Sequence, residues 1–383
     1  MKVGLDVFLE QRVEQFKGKR IGLVTNMTGV NSALVPTIDL LYAHPDIQLT
    51  ALYGPEHGIR GDAKEGEEVA SSTDPYTGLP VYSLYGATKK PTLEMLDPVD
   101  VVVFDLQDIG ARYYTFIYTM AHVMEACGEQ GKAFVVLDRP NPIGGVQVEG
   151  NLLGSEFQSF VGMFPLPNRH GMTIGELALL FKYAFGIACE LTVVPLEGWR
   201  RDMYYDETGL FWVPPSPNTT GIDMSVLYPG TCLVEGTNLS EGRGTTRPFE
   251  YVGAPYVDGY ELAKRFNARG VPGVIARPIS FVPTYQKHCG VRCEGVQLHV
   301  TERRTVQALQ TGLKLLETVA ELYPQDFAFQ PLSEDGRYFF DLLAGTDRLR
   351  AHILGGSTEV FLEKCAEEVA DFKECALPYT LYR

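Results

Sequence analysis

The sequence predicts an α/β protein with a parallel sheet, because short apolar runs alternate with helical patterns along its first half. Strand-like runs cover residues 20–26, 47–52, 99–104 and 133–137, and an amphipathic helical pattern fills 113–130. A polar or glycine-rich turn follows each strand-like run. Repeated β-α-β order of this kind gives parallel strands joined by right-handed crossovers. Such sheets bind ligands beyond the carboxyl ends of their strands.

The helices of this half have recognisable ends. The first helix is predicted at 32–42, after the turn that follows the first strand. Gly131 ends the helical pattern at 113–130, since glycine readily takes the backbone conformation that follows a helix. Thr173 and Glu176 have the spacing of a capping box, which predicts the start of a further helix.

Two proline-containing segments divide the chain. Residues 214–219 and 228–230 are predicted to interrupt regular structure, so we place domains at 1–226 and 227–383. The second domain is also predicted to be α/β, with helices at 259–269, 306–323 and 357–372 and strands at 274–278 and 295–300.

Charge and composition narrow the range of partners. The 383 residues carry a formal net charge of -15, which disfavours nucleic acid and anionic membranes as general partners. No run is long and apolar enough to span a bilayer, and the N-terminus lacks a secretory signal pattern. Seven cysteines, an odd number, favour free thiols over a disulfide framework. We expect a cytoplasmic protein with a small-molecule substrate, or a secreted or periplasmic one if a signal peptide has been removed.

The segment YGPEHGIRG, residues 53–61, has the most distinctive chemistry in the chain. It follows a strand-like run and holds Glu56, His57 and Arg60 among glycine and proline. A surface turn explains the glycine and proline, but it does not explain the crowding of an acid, an imidazole and a guanidinium. We therefore predict a functional loop.

Further polar residues follow neighbouring strands. Asn26 ends the first strand-like run, Asp105 and Asp108 follow the third, and the pair Asp138-Arg139 follows the fourth. Because the carboxyl ends of parallel strands meet at one edge, these side chains are expected near Glu56. Capping of the helix that follows is an alternative role for Asp105 and Asp108.

Long motifs occur in a fixed order from Val3 to the C-terminus: GLVTN, YGPEHGIRG, DLQDIGARYYTF, LDRPNPIGG, VEGNLL, PLPNRHGMTIGELA, PSPN and YPGTCLVEGTNLSEGRGTTRPFE. In these motifs the chain resembles the NamZ family of exo-β-N-acetylmuramidases. The resemblance implies a Rossmann-like N-terminal domain, a smaller α/β C-terminal domain and an active site in the cleft between them. It also implies hydrolysis of terminal β-1,4-linked N-acetylmuramic acid at the non-reducing ends of peptidoglycan fragments. We expect no cofactor.

Glycoside hydrolysis generally uses one carboxylic acid to protonate the leaving oxygen and a second group as nucleophile or base. Glu56 matches the glutamate that the resemblance implies is catalytic, and His57 could orient it or tune its pKa. Pairing of Glu56 with Arg60 in an ordinary loop is the alternative. The substrate's own 2-acetamido group could replace the second protein group. Otherwise the candidates for that group are Glu235, Glu241, Asp105 and Asp108.

N-Acetylmuramic acid carries a lactyl carboxylate, which a planar guanidinium binds through two parallel hydrogen bonds. Tyr114 and its neighbours Tyr113 and Phe116 could stack on a sugar face, with core packing as the alternative. Candidates for the carboxylate contact, each with a structural role as the alternative, are Arg60, Arg112, Arg169 and Arg243. Candidates for hydroxyl or acetamido contacts are Asn26, Asn141, Asn168 and His170.

Two other function classes stay open on the sequence. A metal-dependent deacetylase or amidase would use His57, Asp105, Asp108 and His170 as ligands, although no HxH or HxxxH pattern is present. A sugar-binding protein without turnover is the second class. A dinucleotide role is disfavoured, because no G-x-G-x-x-G follows the first strand.

Overall fold

The structure is a computed structural model that describes residues 1–56, 58–60, 72–86, 88–331 and 336–383. His57, one of the predicted catalytic residues, lies outside the described residues. Within the described ranges, no helix combines the length and the apolar character that crossing a membrane requires.

The N-terminal part of the chain forms a mostly parallel sheet. Over the described residues its strand order is β3-β4-β2-β1-β5-β6-β7, and only the edge strand β3 is antiparallel to its neighbour. The parallel strands follow the doubly wound order of dinucleotide-binding folds. This confirms the predicted α/β class. The strands are β1 (Arg20–Thr25), β2 (Gln48–Gly54), β3 (Ser72–Thr73), β4 (Pro80–Ser83), β5 (Val101–Asp105), β6 (Ala133–Leu137) and β7 (Glu190–Val194).

Helices cover this sheet and bury its central strands. All five residues of β5 are buried, as expected for a parallel strand covered on both faces. Gly22 in β1 leaves room for the ring of Tyr53, since a Cβ at this position would lie 2.7 Å from that ring. Residues 173–176 form the predicted capping box. The helices are α1 (Gly4–Gln11), α2 (Thr37–Ala43), α3 (Leu93–Leu96), α4 (Phe116–Glu129) and α5 (Ile174–Tyr183).

The C-terminal part has a smaller antiparallel sheet. Its order in the described part of the chain is β8-β10-β9, with strands β8 (Tyr251–Ala254), β9 (Val274–Phe281) and β10 (Cys293–Val300). Helices pack around it, as predicted, and one of them begins with the Asp258 side chain accepting from two backbone amides. The helices are α6 (Ile222–Thr231), α7 (Gly259–Ala268), α8 (Ala308–Leu322), α9 (Phe339–Ala344), α10 (Arg348–Leu354) and α11 (Thr358–Ala376).

The break predicted at residues 228–230 is wrong, because α6 continues through Pro229. The helix keeps its course although proline lacks the N–H of an i to i−4 hydrogen bond, and α8 packs closely against it at this point. A Cβ on Gly230 would lie 1.8 Å from the backbone oxygen of Ala308, so the two helices are in contact through glycine. The predicted boundary between 226 and 227 falls inside α6, and it stays a prediction.

The first predicted helix is also shorter than its sequence pattern. The pattern covers 32–42, but α2 begins only at Thr37. Leu34 has a φ of 64°, in the left-handed region, and Pro36 is extended. The residue before a proline is disfavoured in the helical conformation, so the helix starts after Pro36.

Several contacts join the N-terminal and C-terminal parts. The buried Arg112 guanidinium donates to the backbone oxygens of Leu166 and of Leu343 in α9, at 2.7 and 2.9 Å. At a second place, residues 381–383 lie against the large sheet. The Tyr382 hydroxyl donates to Asp138, directly after β6, at 2.5 Å. The two parts therefore form a continuous core with a cleft between them.

Candidate active site

A cleft of about 290 Å³ lies between the two parts of the chain. Glu56 and Thr115 reach it from the large sheet, and Glu235 and Arg243 reach it from the segment that follows α6. Two carboxylates, a cation and several aromatic rings thus line one cavity. A small ligand held there would meet all of these groups together.

Glu56 lies two residues beyond the end of β2. The hydroxyl of Thr115 donates to Oε2 of Glu56 at 2.9 Å. Thr115 is the residue before α4, and its side chain makes no capping bond to that helix. The carboxylate is therefore held beside the N-terminus of a 14-residue helix.

Glu235 belongs to a short 3-10 turn, Cys232–Gly236, directly after α6. Nη2 of Arg243 donates to Oε1 of Glu235 at 2.7 Å. Burial raises the pKa of Glu235, and the neighbouring Arg243 opposes that shift while Glu241 adds to it. The carboxyl thus takes up a proton at a higher pH than an exposed glutamate does.

Glu241 lies behind this pair and does not line the cleft. Its Oε2 is 2.8 Å from Nζ of Lys287, and its Oε1 is 3.4 Å from Nε of Arg243. Lys287 also donates to the backbone oxygens of Val234 and Thr237, each at 3.0 Å. Together these bonds fix the turn that carries Glu235.

Aromatic rings form one wall of the cleft. The ring of Tyr228 meets that of Phe249 edge-on at 4.8 Å and that of Tyr114 at 6.3 Å. The Arg243 guanidinium lies 5.0 Å from the centre of the Phe249 ring. Phe249 is buried and has a φ of 62°, a conformation that side chains rarely adopt. Backbone strain of this kind is concentrated at functional sites.

The other three predicted arginines do not line the cleft. Arg112 is fully buried and donates to backbone oxygens. Arg169 is also fully buried, with Nη1 2.9 Å from Glu149. Arg60 pairs with Asp74 at 2.7 Å, and its guanidinium lies 5.0 Å from the Tyr76 ring.

Most of the other residues predicted for the site bond to neighbouring groups and do not line the cleft. Asp105 is buried and accepts from Arg139 through Nε at 2.5 Å and Nη2 at 2.9 Å. Asn26 accepts from the amide of Thr28 at 2.8 Å. Asn141 donates to a backbone oxygen at 3.0 Å. These contacts brace the turns at the edge of the sheet.

Asp108 and His170 form a buried pair. Nε2 of His170 is 3.3 Å from Oδ2 of Asp108, and that oxygen accepts a hydrogen bond from the Gly110 amide at 2.8 Å. Asn168 donates to the Tyr113 hydroxyl at 3.0 Å. Among the residues that the structure describes, no three His, Cys, Asp or Glu side chains are placed to hold a metal ion.

Several cleft residues were not assigned a role from the sequence. Thr115 belongs to the motif DLQDIGARYYTF, and Phe249 belongs to RPFE. The segment PSPN, interpreted only as a break, supplies two cleft residues, and one more follows it. Motif membership was the available signal, but it did not distinguish cleft residues from core residues. The unassigned residues include Thr115, Ser216, Asn218, Thr219, Tyr228 and Phe249.

A doubly wound sheet with a cleft that carries two carboxylates, a guanidinium and aromatic rings provides the groups that a carbohydrate-processing hydrolase uses. Residues 21–223 match the N-terminal region, and residues 226–382 the C-terminal region, of the family described as exo-β-N-acetylmuramidase NamZ. The chain belongs to this family of glycoside hydrolases. The resemblance found in the motifs is thereby confirmed, and the deacetylase and binding-protein alternatives gain no support.

Individual relatives match over the whole chain. The peptidoglycan β-N-acetylmuramidase NamZ of Bacillus subtilis (strain 168) is 50% identical over 383 residues, which cover 100% of this chain and 91% of the relative. Two crystal structures of DUF1343 family proteins from Bacteroides fragilis NCTC 9343 are similar, each covering 100% of this chain and 99% of its own. Their TM-scores are 0.92 and 0.81, at 40% and 31% identity, and they confirm the fold.

Proposed function

We propose that the cleft removes terminal β-1,4-linked N-acetylmuramic acid from the non-reducing ends of peptidoglycan fragments, with Glu56 as the acid and base. The enzyme class follows from the family. The observation that carries the residue assignment is that Glu56, Glu235 and Arg243 line one cavity, whereas the other predicted acids and arginines do not.

Glu56 suits proton transfer to the leaving oxygen. Its carboxyl reaches the cleft, and the Thr115 hydroxyl fixes one of its oxygens at 2.9 Å. A hydroxyl can donate to the ionised carboxylate and accept from the protonated acid, so the contact serves both states. Protonation of the glycosidic oxygen lets the bond to C1 break, and water then adds to C1 of the released sugar.

Glu235 is the second carboxylate of the reaction. It faces the cleft from the other part of the chain, and Arg243 and Lys287 hold the surrounding turn. The anomeric configuration of the muramic acid when it is first released distinguishes the possible roles of Glu235. Inversion assigns it to activation of water, and retention assigns it to the nucleophile or to orientation of the substrate's acetamido group.

Arg243 is the contact for the lactyl carboxylate. It is the cleft-lining arginine among the four candidates, all of which belong to the described residues. A guanidinium presents several N–H donors in one plane, so it can hold Glu235 and a substrate carboxylate together. A substrate with a hydroxyl in place of the lactyl group would lose this contact.

The proposed setting is turnover of cell-wall fragments in the cytoplasm. All seven cysteines are free thiols, which supports a reducing compartment. Fractionation of cells with an antibody against the protein tests this location. Recovery of the protein outside the cytoplasmic membrane would contradict it.

The test of function is a comparison of two disaccharides in excess EDTA. The purified protein should cleave MurNAc-GlcNAc with a much higher kcat/KM than GlcNAc-GlcNAc. Glu56→Gln should lower kcat by on the order of 10² to 10⁴ while the thermal midpoint stays close to wild type. Cleavage of neither disaccharide by the wild type, or near-normal turnover by a folded Glu56→Gln variant, would overturn the assignment.

A further inference from the structure

A second cavity of about 300 Å³ adjoins the active-site cleft. We call it the α4 groove, because Thr115, Tyr118, Thr119 and His122 form its side along α4. These positions are spaced i, i+3, i+4 and i+7, so they share one face of the helix. The remaining lining residues are Leu84, Tyr85, Lys89, Gln158, Ser159, Phe160 and Met163.

The groove and the cleft are continuous. Tyr85, Thr115 and Phe160 line both cavities. Thr115 is also the residue that bonds to Glu56, so the proposed acid lies where the two cavities meet. A general acid must be within hydrogen-bond reach of the oxygen that it protonates, and this oxygen joins the sugar being released to the rest of the substrate.

The charged groups proposed to bind and cleave muramic acid lie on the cleft side of this junction. Glu235 and Arg243 line the cleft and not the groove. Tyr228, Cys232 and Phe249 of the cleft are buried. A muramic acid ring in the cleft therefore has its glycosidic oxygen directed to the junction, and the rest of the chain continues into the groove.

The lining of the groove suits a neutral or anionic sugar. Phe160 is 46% exposed, and its ring is stacked on Phe339 at 6.3 Å. Nζ of Lys89 lies 5.4 Å from the centre of the Phe160 ring. Among the described lining residues of the groove there is no carboxylate. An aromatic face with polar groups at its border is a common setting for a sugar ring.

We propose that the α4 groove binds the leaving part of the substrate, beginning with the N-acetylglucosamine residue joined to the terminal muramic acid. This inference rests on the proposed function, and it fixes the direction in which the substrate lies. Muramic acid occupies the cleft beside Arg243, and the released fragment leaves along α4.

Substitutions that fill the α4 groove test its role separately from that of the cleft. Gln158→Trp fills it from one wall and Lys89→Trp from the other, and both residues are exposed. The matched control is Ser155→Trp, an exposed position of the same segment that lines neither cavity. The substrates are MurNAc-GlcNAc and β-MurNAc fluoride, because the fluoride leaving group needs no sugar site.

Both groove variants should lose about tenfold or more in kcat/KM on the disaccharide, and they should stay within about twofold of wild type on the fluoride. The control should match wild type on both substrates. Turnover of the fluoride also shows that each variant is folded. Equal losses on the two substrates, or no loss on the disaccharide, would overturn the groove assignment. A wild type inactive on both substrates would instead overturn the proposed function.

Discussion

Oγ1 of Thr115 lies 2.9 Å from Oε2 of Glu56, and this bond joins the residue before α4 to the loop after β2. The hydroxyl makes no capping bond to its own helix. Its contact with the carboxylate can therefore be removed without removing a helix cap. Thr115 is in this sense a positioning residue for the proposed acid.

Thr115→Val should lower kcat on MurNAc-GlcNAc by about 10- to 100-fold with little change in KM. The expected size corresponds to loss of one hydrogen bond to a charged group, about 1.5 to 3 kcal/mol. Thr115→Ser keeps the hydroxyl and should restore most of the activity. Steady-state kinetics and thermal midpoints of the three proteins provide the check. A serine variant as slow as the valine variant would argue against positioning.

The pH dependence of kcat/KM should report Glu235. Burial raises its pKa, so the acidic limb should lie above the ordinary glutamate value of 4.5, because activity requires the ionised form. Arg243 opposes the shift, and Arg243→Met should therefore move the limb to higher pH. The control is Arg247→Met, since Arg247 pairs with Glu250 and does not line the cleft. An unmoved limb in Arg243→Met would exclude Glu235 as its origin.

Selectivity for the lactyl sugar should depend on Arg243. In Arg243→Lys the planar pair of donors is lost, so the ratio of kcat/KM for MurNAc-GlcNAc over GlcNAc-GlcNAc should fall about 10- to 100-fold. Arg60→Lys is the control, because Arg60 pairs with Asp74 outside the cleft. The ratio is informative even if overall activity falls. An unchanged ratio in Arg243→Lys would show that Arg243 does not provide the lactyl contact.

Stability should depend on pH through Asp138. Burial raises its pKa to about 7 from the ordinary 3.8, although hydrogen bonds from Tyr382 and Gly175 oppose the shift. The folded state thus binds the proton more tightly than the unfolded state, and its stabilisation is lost as pH rises from about 4 through about 7. Asp138→Asn stays neutral, and its free energy of unfolding relative to wild type should rise between pH 5 and pH 8.

Denaturant unfolding of both proteins across this range measures the difference. Asp100→Asn is the control, because Arg20 lowers the pKa of Asp100 to about 2. The free energy of unfolding of Asp100→Asn should differ from that of wild type by a constant amount between pH 5 and pH 8. A constant difference for the Asp138 variant as well would contradict the raised pKa.

Local patterns predicted the sheet and the loop of Glu56, but they could not identify the cleft-lining arginine. Strand β6 was predicted with its observed bounds, because apolar runs and glycine turns act over a few residues. Arg112 and Arg243 both lie within long motifs, so the sequence does not distinguish them. One partner of Arg112, Leu343, is 231 residues away. Contacts at that separation are set by the packing of the two parts. Similarly, the close contact of α6 with α8 beside Pro229 joins residues far apart in the sequence, and the local pattern at 228–230 did not show it.

The return of residues 381–383 to the large sheet has a consequence for synthesis. Tyr382 donates to Asp138, the amide of Leu381 donates to Glu176 at 2.8 Å, and Arg383 accepts from the amide of Arg201. On a ribosome, residues 138, 176 and 201 emerge long before these partners are translated. During synthesis, this end of the large sheet therefore stays uncovered until residues 381–383 have been made.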